Sequence, residues 1–135
     1  MQDDAQELLR LSHRLLDAID RGDWDTYAEL CDPSLTAFEP EAGGHLVSGL
    51  EFHRFYFEDR GHGASSDRAK QSSMTSPSVR LMGDSAVVTY VRLVQLYEDG
   101  RFVTTAAEET RVWERQDGIT WRHVHFHRSK PGDLE

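Results

Sequence analysis

Residues 31–58 read CDPSLTAFEPEAGGHLVSGLEFHRFYFE, and their local signals set the order of elements in this part of the chain. Gly43 and Gly44 predict a tight turn between short strands near residues 36–39 and 45–47. Residues 48–51, SGLE, have the pattern of a capping box, in which serine and glutamate side chains bond the first free amides of a helix. We therefore expect a helix through Phe57, with its aromatic residues on the apolar side.

Two helices are predicted before this stretch. Apolar residues recur at helical spacing from Leu8 to Ile19, after two aspartates that can cap the helix and before Gly22, which can end it. Asp23 can cap a second, short helix over residues 24–31, and Pro33 is expected to stop it.

The second half of the chain favours strands. Residues 59–73 are polar and rich in glycine and serine, which predicts a mobile loop. Four strand candidates follow, at 74–82, 85–97, 101–115 and 119–128, and the short Asp/Gly-containing turns between them are typical of hairpins. Helices followed by an antiparallel meander predict an α+β fold with the helices on one face of the sheet, as a single domain over residues 1–135.

Composition excludes several classes of protein. The net charge of −9 over 135 residues argues against a nucleic-acid partner, which would need a basic face. The single cysteine, Cys31, excludes an intrachain disulfide and suits a reducing compartment; we expect it to be an inert, buried thiol. No run of 18 apolar residues and no secretory signal pattern occur, so we expect a cytoplasmic protein without a membrane partner.

The strand candidate at 85–97 is apolar on both of its alternating faces. Ala86, Val88 and Tyr90 begin one face, and Val87, Val91 and Leu93 lie on the other. A sheet with one wet face alternates apolar with polar residues, so the second face needs a cover. Self-association is the simplest cover, and a C-terminal strand curling over the sheet is the alternative.

Arg92 stands in an otherwise apolar row, where a guanidinium must find a partner. Arg111 and Arg128 are on neighbouring strands, and clustered arginines suit bidentate capture of a carboxylate or phosphate. The alternative is pairing within the protein, since buried charges are usually paired. The acids considered as internal partners are Glu39, Glu41, Glu108 and Glu109.

His123, His125 and His127 alternate along the last strand candidate and are expected on one face of it. Three imidazoles at this spacing could hold zinc, but His125 and His127 also belong to the stretch VHFHRS at 124–129, which carries a family resemblance, so no metal site is expected. Trp24, Trp113 and Trp121 are expected in the core.

Four stretches carry a family resemblance: residues 31–58, SVRLMGDSAVVTYVRL at 78–93, EETRVW at 108–113 and VHFHRS at 124–129. Together they resemble the association (hub) domain of calcium/calmodulin-dependent protein kinase II over about residues 6–129. The resemblance implies a cone-shaped nuclear-transport-factor-2-like fold, in which three N-terminal helices pack on a curved antiparallel sheet.

The resemblance also implies a function. Association domains form homodimers and rings of dimers, and they have an arginine-lined pocket that binds small carboxylates. Its motifs place the pocket arginines at Arg92, Arg111 and Arg128, and a pocket histidine at His53 within FHRFYF. Tyr56 is expected to shape the rim, and no cofactor is expected. The family's tryptophan after FYFEN is missing here, near Gly61.

An enzyme of the same fold is the alternative, because this fold also hosts isomerases, dehydratases and polyketide cyclases. His53, Tyr56, Tyr90 and Glu109 could then supply a base and an oxyanion donor. We favour the oligomerisation module, since isomerase sites usually need an apolar cone. The sequence has no glycine-rich phosphate loop, no HRD, no DFG and no basic calmodulin-binding helix, so kinase activity is not expected of this chain.

Overall fold

The computed structural model describes residues 3–54, 57, 69–130 and 132–133. Helix α1 spans Asp4–Arg21 and helix α2 spans Trp24–Leu30. The Asp3 side chain accepts the Ala5 amide at 2.9 Å, so the predicted N-cap is confirmed. Gly22 ends α1 at φ 71°, in the left-handed region that a glycine adopts without strain. Residues 51–54 and 57 form a third helical segment where the capping-box pattern predicted one.

Within the described residues, seven strands form one sheet. Their bounds are β1 Cys31–Phe38, β2 Val47–Ser48, β3 Ala69–Met82, β4 Ser85–Glu98, β5 Arg101–Gln116, β6 Thr120–Arg128 and β7 Gly132–Asp133. The order is β2-β1-β6-β5-β4-β3, with β7 paired to β5. All described pairs are antiparallel except β1 with β6, which is parallel. The predicted meander of β3 to β6 is confirmed, and the parallel pair joins the N-terminal part of the chain to it.

The turn between β4 and β5 shows why the hairpin prediction held. Asp99 and Gly100 have φ of 54° and 75°, and Glu98 pairs directly with Arg101. A two-residue turn with both central residues at positive φ matches the right-handed twist of the strands that it joins.

The core lies between the helices and one face of the sheet, called here the inner face. Leu8, Leu15 and Tyr27 of the helices and Ala86 and Val88 of β4 are among its most buried members. Trp113 and Trp121 are buried and Trp24 packs against the same cluster, so the prediction for the tryptophans is confirmed.

Two local predictions were wrong. Pro33 does not stop α2, because α2 ends at Leu30 and Pro33 lies inside β1. It sits where the β1–β6 register shifts between Cys31 and Thr36, and a residue without an amide hydrogen costs least at such a gap. Residues 69–73, predicted as loop, begin β3 and pair with β4. Residues 59–68 of the predicted loop lie outside the described residues.

Within the described residues, no helix is long and apolar enough to span a bilayer.

Candidate functional site

Glu109 is the centre of a buried polar network on the inner face of the sheet. Its Oε1 atom accepts from Tyr90 Oη at 2.6 Å and from Arg111 Nη2 at 2.9 Å. Its Oε2 atom accepts from Arg92 Nη1 at 3.3 Å. The register places Tyr90 directly opposite Glu109, so the sheet itself brings this pair together.

Arg111 extends the network toward β6 and β1. Its Nε donates to Tyr90 Oη at 2.7 Å, and its Nη1 lies 3.3 Å from His123 Nε2. The other ring nitrogen of His123, Nδ1, lies 3.3 Å from Cys31 Sγ. The Arg111 guanidinium also lies over the Phe126 ring, 4.7 Å from its centroid. Each nitrogen of the Arg111 guanidinium thus has a polar partner, and the residue is only 1% exposed.

Arg92 extends the network toward helix α1. Its Nη2 donates to Asp20 Oδ1 at 3.0 Å and its Nε donates to Ser72 Oγ at 2.9 Å. Asp20 is a partner that the sequence analysis missed. The available signal was helical spacing, since Asp20 follows the buried residues Ser12 and Leu16 at intervals of four.

The network sets the protonation of its members. Burial raises the pKa of the Glu109 carboxyl, but the charges of Arg111 and Arg92 and the hydrogen bonds from Tyr90 and Arg111 outweigh it, so the pKa is lowered. Burial raises the pKa of the Tyr90 hydroxyl. Burial also lowers the pKa of His123 well below its usual value, helped by the neighbouring Arg111 charge. The arrangement keeps Glu109 ionised and His123 neutral at pH 7.

A separate cavity of about 60 Å³ lies beside this network. The described residues that line it are Ile19, Tyr27, Glu39, Glu41, His53, Phe57 and Arg128. Arg128 Nη2 donates to both oxygens of Glu41, at 2.6 and 2.7 Å, and lies 3.8 Å from Glu39 Oε2. The lining therefore combines one guanidinium with two carboxylates.

Glu39 and His53 are buried in this cavity with unused hydrogen-bonding capacity. Their side chains are 3% and 6% exposed, and Glu39 Oε2 lies 3.4 Å from His53 Nε2. Among the described residues, Glu39 Oε1 and both ring nitrogens of His53 have no hydrogen-bond partner. Buried polar atoms without partners are rare in native proteins, and such atoms at a cavity are available to a bound molecule.

The structure separates the predicted site residues into two groups. Arg92 and Arg111 belong to the buried network, where Asp20 and Glu109 pair with them as the internal-pairing alternative requires. Of the three arginines, only Arg128 is among the described residues that line the cavity, together with His53. Tyr56 lies outside the described residues. Glu108, one of the acids considered as a partner, is exposed and Glu109 is buried.

The prediction that the three histidines share one face was wrong. A β-bulge interrupts β6, because Trp113 pairs with His123 whereas the preceding Val112 pairs with His125. The extra residue, Val124, turns His125 and His127 to the outer face and leaves His123 in the core. The same bulge puts Phe126 and Arg128 on the inner face. No group of three or more metal-ligating side chains occurs among the described residues.

Comparison with known proteins identifies the family. The sequence-family model of the calcium/calmodulin dependent protein kinase II association domain matches residues 4–132 of this chain. The chain belongs to this family.

The similarity extends to individual association domains. The delta subunit of calcium/calmodulin-dependent protein kinase type II from Oryctolagus cuniculus is 48% identical over 127 residues. The match covers 92% of this chain but only 23% of the kinase subunit. The solved CaMKII hub homology domain of Chlamydomonas reinhardtii is 50% identical, with a TM-score of 0.86 over 94% of this chain and 98% of that one.

Nuclear-transport-factor-2-like proteins share the fold at lower identity. One from Cytophaga hutchinsonii has a TM-score of 0.74 at 18% identity, covering 95% of this chain and 98% of that one. The predicted fold class, helices packed on the curved sheet of a nuclear-transport-factor-2-like protein, is confirmed. The buried network and the cavity are therefore features of an association domain, and they lie where its inner sheet face meets the helices.

Proposed function

We propose that this chain is a self-associating module, a single domain over residues 1–135, whose copies pair through the outer face of the sheet. The observation that carries the proposal is the outer face of β4. Val87, Thr89, Val91 and Leu93 are each half-buried in the isolated chain, and none belongs to the core cluster of the described residues. An apolar sheet face that its own helices do not cover favours a second copy.

Beyond the exposed Gln95, the outer face carries a further apolar pair at the hairpin that joins β4 and β5. Tyr97 and Phe102 are direct cross-strand partners with ring centroids 4.7 Å apart. Phe102 is 82% exposed, which is unusual for so large an apolar side chain. Membership of the association-domain family supports the same reading, and a ring of such dimers is the larger assembly that we propose.

The test is a charge placed on this face. We expect wild-type protein to be at least dimeric at micromolar concentration by light scattering coupled to size exclusion. Val91→Lys should shift it to monomer, because a desolvated ammonium is costly in an apolar interface. Gln6→Lys adds the same charge at an exposed position of α1 and should leave the assembly unchanged. Monomeric wild-type protein would rule out the proposal.

We further propose that the cavity binds a small carboxylate. Arg128 presents the guanidinium that would hold it, and the buried His53 and Glu39 offer unpartnered polar atoms to the rest of the molecule. Arg92 and Arg111, whose charges are paired with Asp20 and Glu109, would act indirectly, through the rigidity of their network. Tyr56 remains in the proposed site on the family resemblance alone.

Calorimetry with short carboxylates tests this second part. Binding should weaken as salt rises and should be lost in Arg128→Met, which removes the charge and keeps much of the side-chain volume. Absence of heat for every carboxylate with the wild type would remove the ligand from the proposed function and leave the assembly untouched.

The binding module is favoured over the enzyme alternative by the state of Glu109. A general base must have a free lone pair and a pKa near the working pH. Glu109 accepts bonds from Tyr90, Arg111 and Arg92, and its pKa is lowered rather than raised. We propose a cytoplasmic location and no nucleic-acid partner, in keeping with the reducing environment that suits Cys31 and with the acidic charge.

A further inference from the structure

The ion pair between Glu41 and Arg128 sits where the proposed carboxylate would bind. Arg128 Nη2 donates to both oxygens of the Glu41 carboxylate, at 2.6 and 2.7 Å. This is the kind of charge-assisted contact that a bound carboxylate would make with the same guanidinium. In the structure, therefore, a carboxylate of the protein itself occupies this donor of Arg128.

The two acids of the cavity, Glu39 and Glu41, differ in their exposure to solvent. The Glu39 side chain is 3% exposed and follows directly on β1, whereas the Glu41 side chain is 39% exposed. Glu41 is the middle residue of a single 3₁₀ turn, Pro40–Ala42. A partly exposed carboxylate loses less than a buried one when it moves into solvent, because water replaces part of its lost hydrogen bonds.

Charge makes this displacement necessary. With both glutamates in place, an incoming anion meets two carboxylates and one guanidinium among the described lining residues. Like charges at contact distance repel strongly in a partly buried site. Once Glu41 has moved away, the ligand meets one carboxylate fewer, and it faces Arg128 and the unpartnered ring nitrogens of His53.

We propose that Glu41 is a built-in competitor for the carboxylate site: it occupies Nη2 of Arg128 and must leave before a ligand carboxylate can bind at that nitrogen. The proposal rests on the proposed carboxylate binding. It makes Glu41 the residue that sets the affinity of the cavity, and it predicts that removing an acid of the cavity improves ligand binding.

The experiment is titration of the 135-residue protein with sodium acetate and sodium butyrate at constant ionic strength, followed by ligand-observed NMR. Glu41→Gln keeps the shape of the side chain and removes its charge. We expect Glu41→Gln to bind both anions about tenfold more tightly than the wild type. The variant removes the partly exposed carboxylate that pairs with Arg128, and it also removes the repulsion between that carboxylate and the anion. Acetamide, the neutral analogue of acetate, should show no such gain.

Glu29→Gln is the matched control. Glu29 is an exposed glutamate whose carboxylate lies 3.3 Å from Arg14, and it is not among the described residues that line the cavity. This variant changes the net charge equally and should leave acetate affinity unchanged. An equal gain in both variants would show that overall charge, and not occupation of Arg128, sets the affinity.

Three further outcomes test this inference and the proposed carboxylate site separately. If the wild type binds acetate and Glu41→Gln binds it equally or less tightly, Glu41 is not a competitor, although the carboxylate site stands. If neither the wild type nor Glu41→Gln binds acetate or butyrate, both the carboxylate site and the competitor role are wrong. Binding in Glu41→Gln alone would support both.

Discussion

Glu109 and Arg111 form an ion pair of 2.9 Å in which the two side chains are 0% and 2% exposed. They are two residues apart on β5, so both point to the inner face of the sheet. An isolated charge at this depth would be too costly to keep. Together with Tyr90 and Arg92, the pair forms a fully bonded cluster that links the sheet to α1 through Asp20. The first two predictions concern this cluster.

Glu109→Gln should destabilise the protein by about 3–5 kcal/mol, because it leaves the charges of Arg92 and Arg111 buried without their carboxylate. The side-chain amide of the new glutamine would also point an N–H donor at the N–H donors of the two arginines. Urea unfolding measures the difference. Glu114→Gln, at an exposed position of the same strand, should stay within about 0.5 kcal/mol of the wild type. A similar small effect for Glu109→Gln would show that the ion cluster contributes little to stability.

Arg111→Lys should destabilise the protein by at least about 2 kcal/mol although the charge is kept, since an ammonium cannot reach Glu109, Tyr90 and His123 together. The double variant Arg111→Lys/Tyr90→Phe should lose less unfolding free energy than the two single variants lose in total, by more than about 0.5 kcal/mol. Additive effects in thermal denaturation would mean that the two side chains act independently.

Cys31 should be unreactive in the folded protein. It is 1% exposed, and burial raises the pKa of its thiol to about 12, so very little thiolate is present at pH 8. A thiol reagent such as DTNB should label it only as fast as the protein unfolds. Rapid labelling at a rate that does not follow unfolding would contradict the buried position.

Stability should fall as pH is lowered from about 7.5 to 5. Burial holds the folded pKa of His123 well below the ordinary histidine value of 6.5, so the unfolded chain binds a proton in this range and the folded chain does not. The folded state therefore loses up to about 1.4 kcal/mol per pH unit from this residue below the unfolded pKa. Unfolding free energies at fixed protein concentration give the slope. His123→Gln should reduce the slope even though it lowers stability at every pH.

Local signals in the sequence were enough to predict most of the helices and strands. The caps at Asp3 and Asp23, the glycine at Gly22 and the Asp99-Gly100 turn each act over a few residues, so their outcome depends little on the rest of the protein. The family motifs placed these elements in one fold. The prediction for Pro33 failed because β1 begins directly after α2, and its pairing partners β2 and β6 come from later parts of the chain.

The composition of the site was decided by tertiary structure. The sequence by itself marked Arg92, Arg111 and Arg128 as candidates for one ligand site and could not choose their partners, because all but one of the acids that pair with them, Asp20, Glu39 and Glu41, are distant in the chain. One bulge at Val124 shifts the alternation of β6, which separates His123 from His125 and turns Arg128 inward. Packing of α1 against β3 and β4 then brings Asp20 to Arg92. Alternation along a strand is a local property, but the position of a bulge and the meeting of distant charges depend on how strands and helices pack, and that is settled only in the folded molecule.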